Sequence, residues 1–326
     1  MKILITGIAG FAARHFLDYL NVIEPGSEVA GIYHETLPEF DVKKLGNLTI
    51  TFYQLSLLEK DKFAAVLQEC KPAFILHLAG KSSVANSWKD PSGSITDNTN
   101  FFLNIVESVR VLNWPCRILS VGSTEEYGNA NAGLPLKETD CPEPASPYGV
   151  ARVLQQKLVA IYANSYKLDI VHTRSFNHIG PNQKPEYVIA SFAKQVVQQD
   201  MEGKKEIILK TGDVNVVRDF SDVRDVVKAY YQLLYKGRKG QTYNVCSGNG
   251  YVLKDIIQLL AKKIGKPVHD SIDEEKFRPA ENKTILGSFE KINKETGWKP
   301  EISIEKSIED IIEYWRGILS DIAKKQ

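Results

Sequence analysis

The 326-residue chain has almost no net charge: 41 Lys and Arg stand against 40 Asp and Glu, a formal +1. Without a basic excess there is no electrostatic footprint for nucleic acid or for an anionic membrane surface, so neither is expected as a partner. Cysteine is scarce. Cys70, Cys116, Cys141 and Cys246 lie far apart, without the spacing of a metal site or a disulfide framework, which predicts free thiols, no metal and a reducing compartment. No apolar run approaches membrane-spanning length, and the first strand begins at residue 2, which leaves no room for a secretory leader. A cytoplasmic location is the expectation. Internal repeats, low-complexity tracts and long linkers are absent too. The rest is the composition of an ordinary globular protein, long enough for one large α/β unit and a smaller lobe.

The chain does have a regular alternation of short apolar runs with helical periodicity. Strands are predicted near 2–7, 28–33, 48–54, 73–78, 116–122 and 169–175, and helices near 10–21, 59–69, 95–112 and 147–165. This pattern predicts a doubly wound parallel sheet of the Rossmann type. After residue 176 the rhythm changes. Helices are predicted at 188–201, 222–235 and 303–319, a strand at 241–246, and an irregular, charge-rich segment at 266–287. Residues 1–176 therefore read as a dinucleotide-binding domain to which 215–246 returns. Residues 177–214 and 247–326 read as a substrate-binding lobe.

The first strand runs into Thr6-Gly7-Ile8-Ala9-Gly10-Phe11-Ala12-Ala13. Gly7 suits the tight turn that leaves the strand, and Gly10 lets backbone approach a pyrophosphate. The free N–H groups around Ala9, Phe11 and Ala12 face that anion. Ala13 stands where a third glycine would, which only loosens helix–strand packing. The second strand ends at Tyr33 with neither a carboxylate for a ribose 2′-hydroxyl nor an arginine for a 2′-phosphate; His34 and Glu35 follow. NADPH and NADH both stay open. Leu55, after the third strand, and Ala79, Gly80 and Lys81, after the fourth, fall on the same cofactor side. His77, inside the fourth strand, reads as a core histidine.

Chemistry enters at the fifth strand, which ends in Ser123-Thr124-Glu125, and at the helix that opens with Tyr148-Gly149-Val150-Ala151-Arg152. A hydroxyl at a strand end and a phenol on the first turn of the next helix can both donate to one carbonyl oxygen. A cation four residues after the phenol lies on the same face, one turn away, and favours the phenolate. The single literal Tyr-xxx-Lys, Tyr235 to Lys239, reads as a surface turn.

At this point the chain resembles the extended short-chain dehydrogenases/reductases that act on nucleotide sugars, and within them the GDP-4-keto-6-deoxy-D-mannose reductases. The resemblance rests on Lys81-Ser82-Ser83-Val84, on 122–128, on Phe176-Asn177-His178-Ile179-Gly180-Pro181-Asn182-Gln183, on Val217-Arg218-Asp219-Phe220 with Asp222-Val223-Arg224-Asp225, on Tyr243-Asn244-Val245-Cys246-Ser247-Gly248, and on Arg278-Pro279-Ala280-Glu281 with Gly297-Trp298-Lys299-Pro300. It implies that Ser123 and Tyr148 bind a sugar C4 oxygen, that Tyr148 passes the proton, and that a nicotinamide gives the hydride. The family has lysine where this chain has Arg152. At about 4 Å and an effective dielectric near 20, either cation stabilises a phenolate by about 4 kcal/mol. Only lysine can also lose a proton.

The same resemblance implies Arg218 and Arg278 on a diphosphate, Asn177 near the sugar and diphosphate, Glu281 near the ribose or base, and a homodimer. Lys194 is a further nucleotide candidate, and Ser82, Ser83 and Thr124 are candidates for the sugar pocket. Glu125 stands where the related 4,6-dehydratases keep an extra base. A dehydratase, or a catalytically silent nucleotide-binding protein, thus remains beside the reductase reading.

Overall fold

The computed structural model describes residues 1–37, 44–129, 133–273 and 282–325. The first half lays down β1 (Lys2–Thr6), α1 (Phe11–Ile23), β2 (Glu28–Tyr33), β3 (Thr49–Gln54), α2 (Lys60–Cys70), β4 (Phe74–His77), α3 (Val84–Lys89), α4 (Pro91–Val111), β5 (Arg117–Ser123), a 3-10 turn (Thr124–Glu126), α5 (Pro147–Asn164) and β6 (Asp169–Ser175). There follow β7 (Asn177–Ile179), α6 (Val188–Met201), β8 (Ile207–Thr211), β9 (Val217–Asp222), α7 (Val223–Lys236), β10 (Thr242–Val245), β11 (Gly250–Val252), α8 (Leu253–Ile264), β12 (Val268–Ile272), β13 (Thr284–Ile285), α9 (Glu290–Thr296) and α10 (Ile304–Lys325).

Seven strands form one parallel sheet in the order β10-β6-β5-β4-β1-β2-β3. Successive residues of a strand face opposite sides, and the two sides have separate cores. Ile3, Ile5, Leu76, Leu119 and Val171 meet Phe16, Leu17 and Leu20 of α1 and Val226, Tyr230 and Leu233 of α7. Leu4, Ile75, Ile118 and Ile170 meet Phe63 and Leu67 of α2, Phe102, Ile105 and Val106 of α4 and Val159 of α5. Burial on both faces is why these strands read as continuous apolar runs. This is a doubly wound Rossmann-type α/β fold.

A smaller lobe packs α6, α8 and α10 around Phe192, Val196, Leu260, Ile308 and Trp315. Its sheet runs β11-β9-β13, with β7 also paired to β9. Within 215–246 the chain therefore stays in the small sheet through β9. It rejoins the large one only at α7 and β10, because β9 finds its partners among β7, β11 and β13.

Three local differences from the sequence reading have local causes. The helix expected from 95 starts at Pro91, because Asp90 caps it by accepting from the Gly93 N–H at 2.9 Å and proline is favoured in a first turn. Inside the segment read as irregular, β12 forms a parallel pair with β8, a long-range partner that local sequence does not announce. The last helix continues to Lys325, with residues 321–324 exposed.

Two carboxylates hold the lobes together. Asp222 caps α7, accepts from the Arg224 side chain at 2.7 and 2.8 Å, and accepts from the Ser307 hydroxyl of α10 at 2.6 Å. Asp225, fully buried, accepts from the N–H groups of Glu301 and Ile302 at 2.8 and 2.7 Å and from Lys228 at 3.1 Å. Removing such an acceptor leaves several donors unpaired. Asp225→Ala should lower the unfolding free energy by roughly 2–4 kcal/mol, as urea denaturation would measure.

Candidate active site

Strand order reverses between β1 and β4, and a ligand crevice in an open α/β sheet lies beyond the carboxyl ends of the strands at such a point. Gly7, just past β1, has φ +73°, a left-handed conformation that glycine takes without strain. A Cβ there would stand 2.8 Å from the Ala79 nitrogen, so the chain leaving β1 presses on the chain leaving β4. Ala9 and Gly10 lie exposed above this contact. Gly10 begins α1 with no side-chain cap, so the first N–H groups of the helix, from Phe11 and Ala12 onward, point outward without intrahelical acceptors. This open cradle of donors at a helix start fits a pyrophosphate. Phe11 stacks on His178 with ring centroids 5.9 Å apart, and His15 Nε2 lies 2.8 Å from the Pro181 carbonyl. The 177–183 segment is thereby fixed beside the cradle.

Leu55 is buried at the end of β3, and its N–H donates to the Tyr33 carbonyl at the end of β2. His34 is exposed, and its carbonyl accepts from the Gln54 side chain. At the end of β4, Asn98 of α4 holds the loop: its Oδ1 accepts from the Lys81 N–H at 2.9 Å, and its amide donates to the Lys81 carbonyl. The Lys81 ammonium pairs with Asp97 at 2.8 Å and Asp90 at 3.6 Å, which leaves its backbone as the part beside Gly80. A Cβ on Gly80 would lie 2.4 Å from an Arg152 terminal nitrogen and 2.7 Å from Asn98 Oδ1. Arg152 therefore reaches the floor of the crevice.

Tyr148 and Arg152 stand one turn apart on α5, 6% and 5% exposed. The guanidinium carbon lies 4.9 Å from the Tyr148 ring centroid. One terminal nitrogen of Arg152 donates to Gln155 Oε1 at 2.6 Å and to the Val121 carbonyl at 3.3 Å, while its Nε is buried with no partner. Ser123 opens the 3-10 turn: its Oγ accepts from the Glu125 N–H, and its own N–H donates to Glu126. The start of α5 sits directly on this turn, since a Cβ on Gly149 would be 2.5 Å from the Glu125 carbonyl. Ser146 caps α5 by accepting from the Gly149 N–H and donates its hydroxyl to the Glu125 carboxylate at 3.3 Å. Strand end and helix start are thus clamped together.

Beyond the turn, Thr124, Glu125 and Arg218 line one cavity with Val84, Leu136 and Asn282. Arg218 is buried on β9 and also donates to the Val217 carbonyl. Ser82 is exposed at the rim, 2.7 Å from the hydroxyl of Tyr187 at the start of α6. Ser83 caps α3 by accepting from the Asn86 N–H. Asn177 is exposed on β7. Lys194 does not line that cavity among the described residues; its ammonium lies 5.5 Å from the Trp315 ring centroid. Arg278 and Glu281 lie outside the described residues.

Sequence reasoning did not find Tyr187, Asn98 or Gln155. Asn98 and Gln155 sit in helices whose sequences read as ordinary amphipathic surface and core, and Tyr187 is the extended residue that precedes α6. Only the packing brings them to the crevice.

His77 sits 2.8 Å from Thr6 Oγ1 through its Nδ1, and its Nε2 is buried without a partner. Burial, with Arg152 and His172 adding to it, pushes its pKa down to about 3. It is a neutral core residue.

Comparison with known proteins gives a consistent picture. Residues 4–311 match the family model described as GDP-mannose 4,6 dehydratase. GDP-6-deoxy-D-mannose reductase of Pseudomonas aeruginosa is 31% identical over 315 residues, which is 96% of this chain and 97% of that protein. Among solved structures, RMD from Pseudomonas aeruginosa complexed with NADPH aligns with a TM-score of 0.82 at 29% identity, covering 97% of this chain and all of that one. UDP-glucose 4-epimerase of Thermotoga maritima with UDP-glucose aligns with a TM-score of 0.85 at 27% identity, covering 98% and 100%.

Two outcomes follow from this geometry. Gly7→Ala should weaken dinucleotide binding by about tenfold or more, through left-handed strain of roughly 1–2 kcal/mol and the clash at Ala79, as fluorescence titration would measure. His77 protonates near 6.5 when unfolded and near 3 when folded, so the unfolded chain binds the extra proton between those values. Stability should therefore fall as pH drops below about 6.5, by up to about 1.4 kcal/mol per pH unit from this residue alone. Denaturation at several pH values should give a shallower slope for His77→Gln.

Proposed function

From a chain that belongs to the GDP-mannose 4,6-dehydratase family of extended short-chain dehydrogenases/reductases, and so to NAD(P)-dependent enzymes of nucleotide sugars, we propose a specific reductase activity. Its substrate is a GDP-linked 4-keto-6-deoxy sugar, GDP-4-keto-6-deoxy-D-mannose or the manno-heptose analogue, reduced at C4. The observation that carries this reading is the buried Tyr148 with the Arg152 guanidinium beneath it, at the carboxyl edge of the sheet.

The cradle of Gly7, Ala9, Gly10, Phe11 and Ala12, with Ala79, Gly80, Lys81, Leu55 and His34 around it, is assigned to the dinucleotide. When bound, the reduced nicotinamide supplies the hydride that arrives at C4. As the carbonyl π pair moves onto oxygen, Tyr148 donates its hydroxyl proton to that oxygen and Ser123 donates a hydrogen bond to it. Arg152 stabilises the phenolate left behind. In a water-excluded site such preorganised charge acts at far more than its strength in water. Arg152 keeps its own protons, so Tyr148 recovers its proton by another route.

Arg218 is assigned to the diphosphate, where a guanidinium fork matches phosphate oxygens. Thr124 shares its cavity and, with Ser82 and Ser83 at the rim and Asn177 on β7, is assigned to the sugar. Arg278, Glu281 and Lys194 remain nucleotide candidates on the resemblance. Residues 1–176 with α7 and β10 serve the dinucleotide, and the smaller lobe serves the substrate. Glu125 lines the cavity yet accepts the hydroxyl of the α5 cap, which suits loop support better than a free base for dehydration. A homodimer through α4 and α5 belongs to the same reading, because Val150, Leu154 and Ile161 stand exposed along one face of α5. The four unpaired cysteines accord with a cytoplasmic setting.

The purified protein should oxidise stoichiometric NADPH or NADH with GDP-4-keto-6-deoxymannose, give a 6-deoxy sugar identifiable by NMR, and leave GDP-mannose untouched. Turnover of GDP-mannose with retained coenzyme would make it a dehydratase instead. Tight coenzyme binding with no turnover on any 4-keto sugar would make it a binding protein. Tyr148→Phe should lower kcat by roughly 100-fold or more.

A further inference from the structure

Arg152 is held by an amide. Gln155 Oε1 accepts from the guanidinium at 2.6 Å, and Gln155 Nε2 donates to Ser120 Oγ at 2.8 Å. Ser120 Oγ lies 3.0 Å from His172 Nδ1, and His172 Nε2 lies 3.1 Å from Glu126 Oε1. That same carboxylate oxygen accepts from the Ser123 N–H at 2.9 Å. Gln155, Ser120, His172 and Glu126 are all fully buried. A continuous polar chain thus runs through the core from the cation on α5 to the backbone of the serine at the end of β5.

Roles along the chain follow from its ends. Glu126 accepts, so His172 carries a proton on Nε2. Ser120 in turn accepts from the Gln155 amide, and this leaves Gln155 Oε1 for Arg152. A reversed amide would aim N–H groups at a guanidinium, with donors facing donors. The charge is arranged just as tightly. Glu126 is matched by Arg174, whose Nε donates to it at 3.3 Å, and Arg152 meets two neutral acceptors, the Gln155 amide and the Val121 carbonyl. Among the described residues no carboxylate pairs with Arg152. Gly80 leaves room for the guanidinium, since a Cβ would lie 2.4 Å from it.

We propose that Gln155 is a positioning residue that fixes the Arg152 guanidinium against Tyr148 without cancelling its charge, and that Gly80, Gln155 and Ser120 form a socket fitted to arginine. The proposal rests on the reductase reading for its catalytic consequence, whereas the tether itself is independent of that reading. A carboxylate at 155 would hold the guanidinium equally well but neutralise it beside the phenol. An apolar residue there would leave the charge intact but unanchored.

Selective 15N–13C NMR of arginine side chains in the whole, coenzyme-free protein reads the tether directly. In the wild type the two terminal nitrogens of Arg152 should give separate signals, because rotation about Nε–Cζ is hindered. In Gln155→Met, similar in length and apolar, they should merge; in Gln155→Glu, which also serves if the methionine variant does not fold, they should stay separate. Each variant should lose at least tenfold in kcat with KM for the keto sugar within twofold. In an Arg152→Lys background, Gln155→Met should change kcat by less than twofold, because the guanidinium it positions is gone. Signals that stay separate in Gln155→Met, or an equal kcat loss in both backgrounds, would overturn the proposal. If the wild type turns over no 4-keto sugar yet the NMR signals behave as described, the reductase reading fails and the tether stands.

Discussion

A permanent positive charge lies buried beneath a phenol with no carboxylate partner among the described residues, and a polar network through the core of the large domain answers to it. Arg152 is buried, and burying a cation is costly unless its donors find acceptors. A carboxylate would satisfy the donors and abolish the field at Tyr148. The protein uses the Gln155 amide and the Val121 carbonyl instead. The far end of the same network, Glu126, is balanced by Arg174, whose guanidinium carbon also lies 4.3 Å from the Tyr127 ring centroid. Negative charge is thereby kept next to Ser123 and away from Arg152.

The second constraint is that two lobes must keep one crevice between them. Asp222 and Asp225 of the α7 turn take hydrogen bonds from the segment around α10, and Ser82 meets Tyr187 across the rim. Asp219, deeply buried on β9, accepts from the N–H groups of Ser247, Gly248 and Gly287 and from the Ser247 hydroxyl. Burial still pushes its pKa above the usual carboxylate value, because desolvation outweighs those bonds. Its acceptors knit three distant segments next to Arg218, the cation that faces the cavity. The matches around Arg218 and Asp222 seen in the sequence therefore combine one residue that lines the cavity with several that are structural.

Much of the dinucleotide end was legible in advance. Gly7 and Gly10 announce their turn because backbone freedom is a property of the residue type, and the continuous apolar strands announce burial on both faces. The Tyr148–Arg152 spacing is legible because four residues are one helical turn. The spacing of Lys194 on α6 says nothing of Trp315, which comes from α10 more than a hundred residues later. The place of Lys81 after β4 is legible, whereas the turn of its ammonium to Asp97 and Asp90 is not.

The sequence by itself determined the alternation of strands and helices, the glycine cradle and the pairing of a phenol with a cation on one helical face. All of these follow from local periodicity and residue chemistry. Only the tertiary structure decided which side chains surround that cation, where the Glu125 carboxylate spends its hydrogen-bonding capacity, and that β9 leaves the large sheet. Those outcomes depend on contacts between segments far apart in the chain, where the partner rather than the residue sets the role.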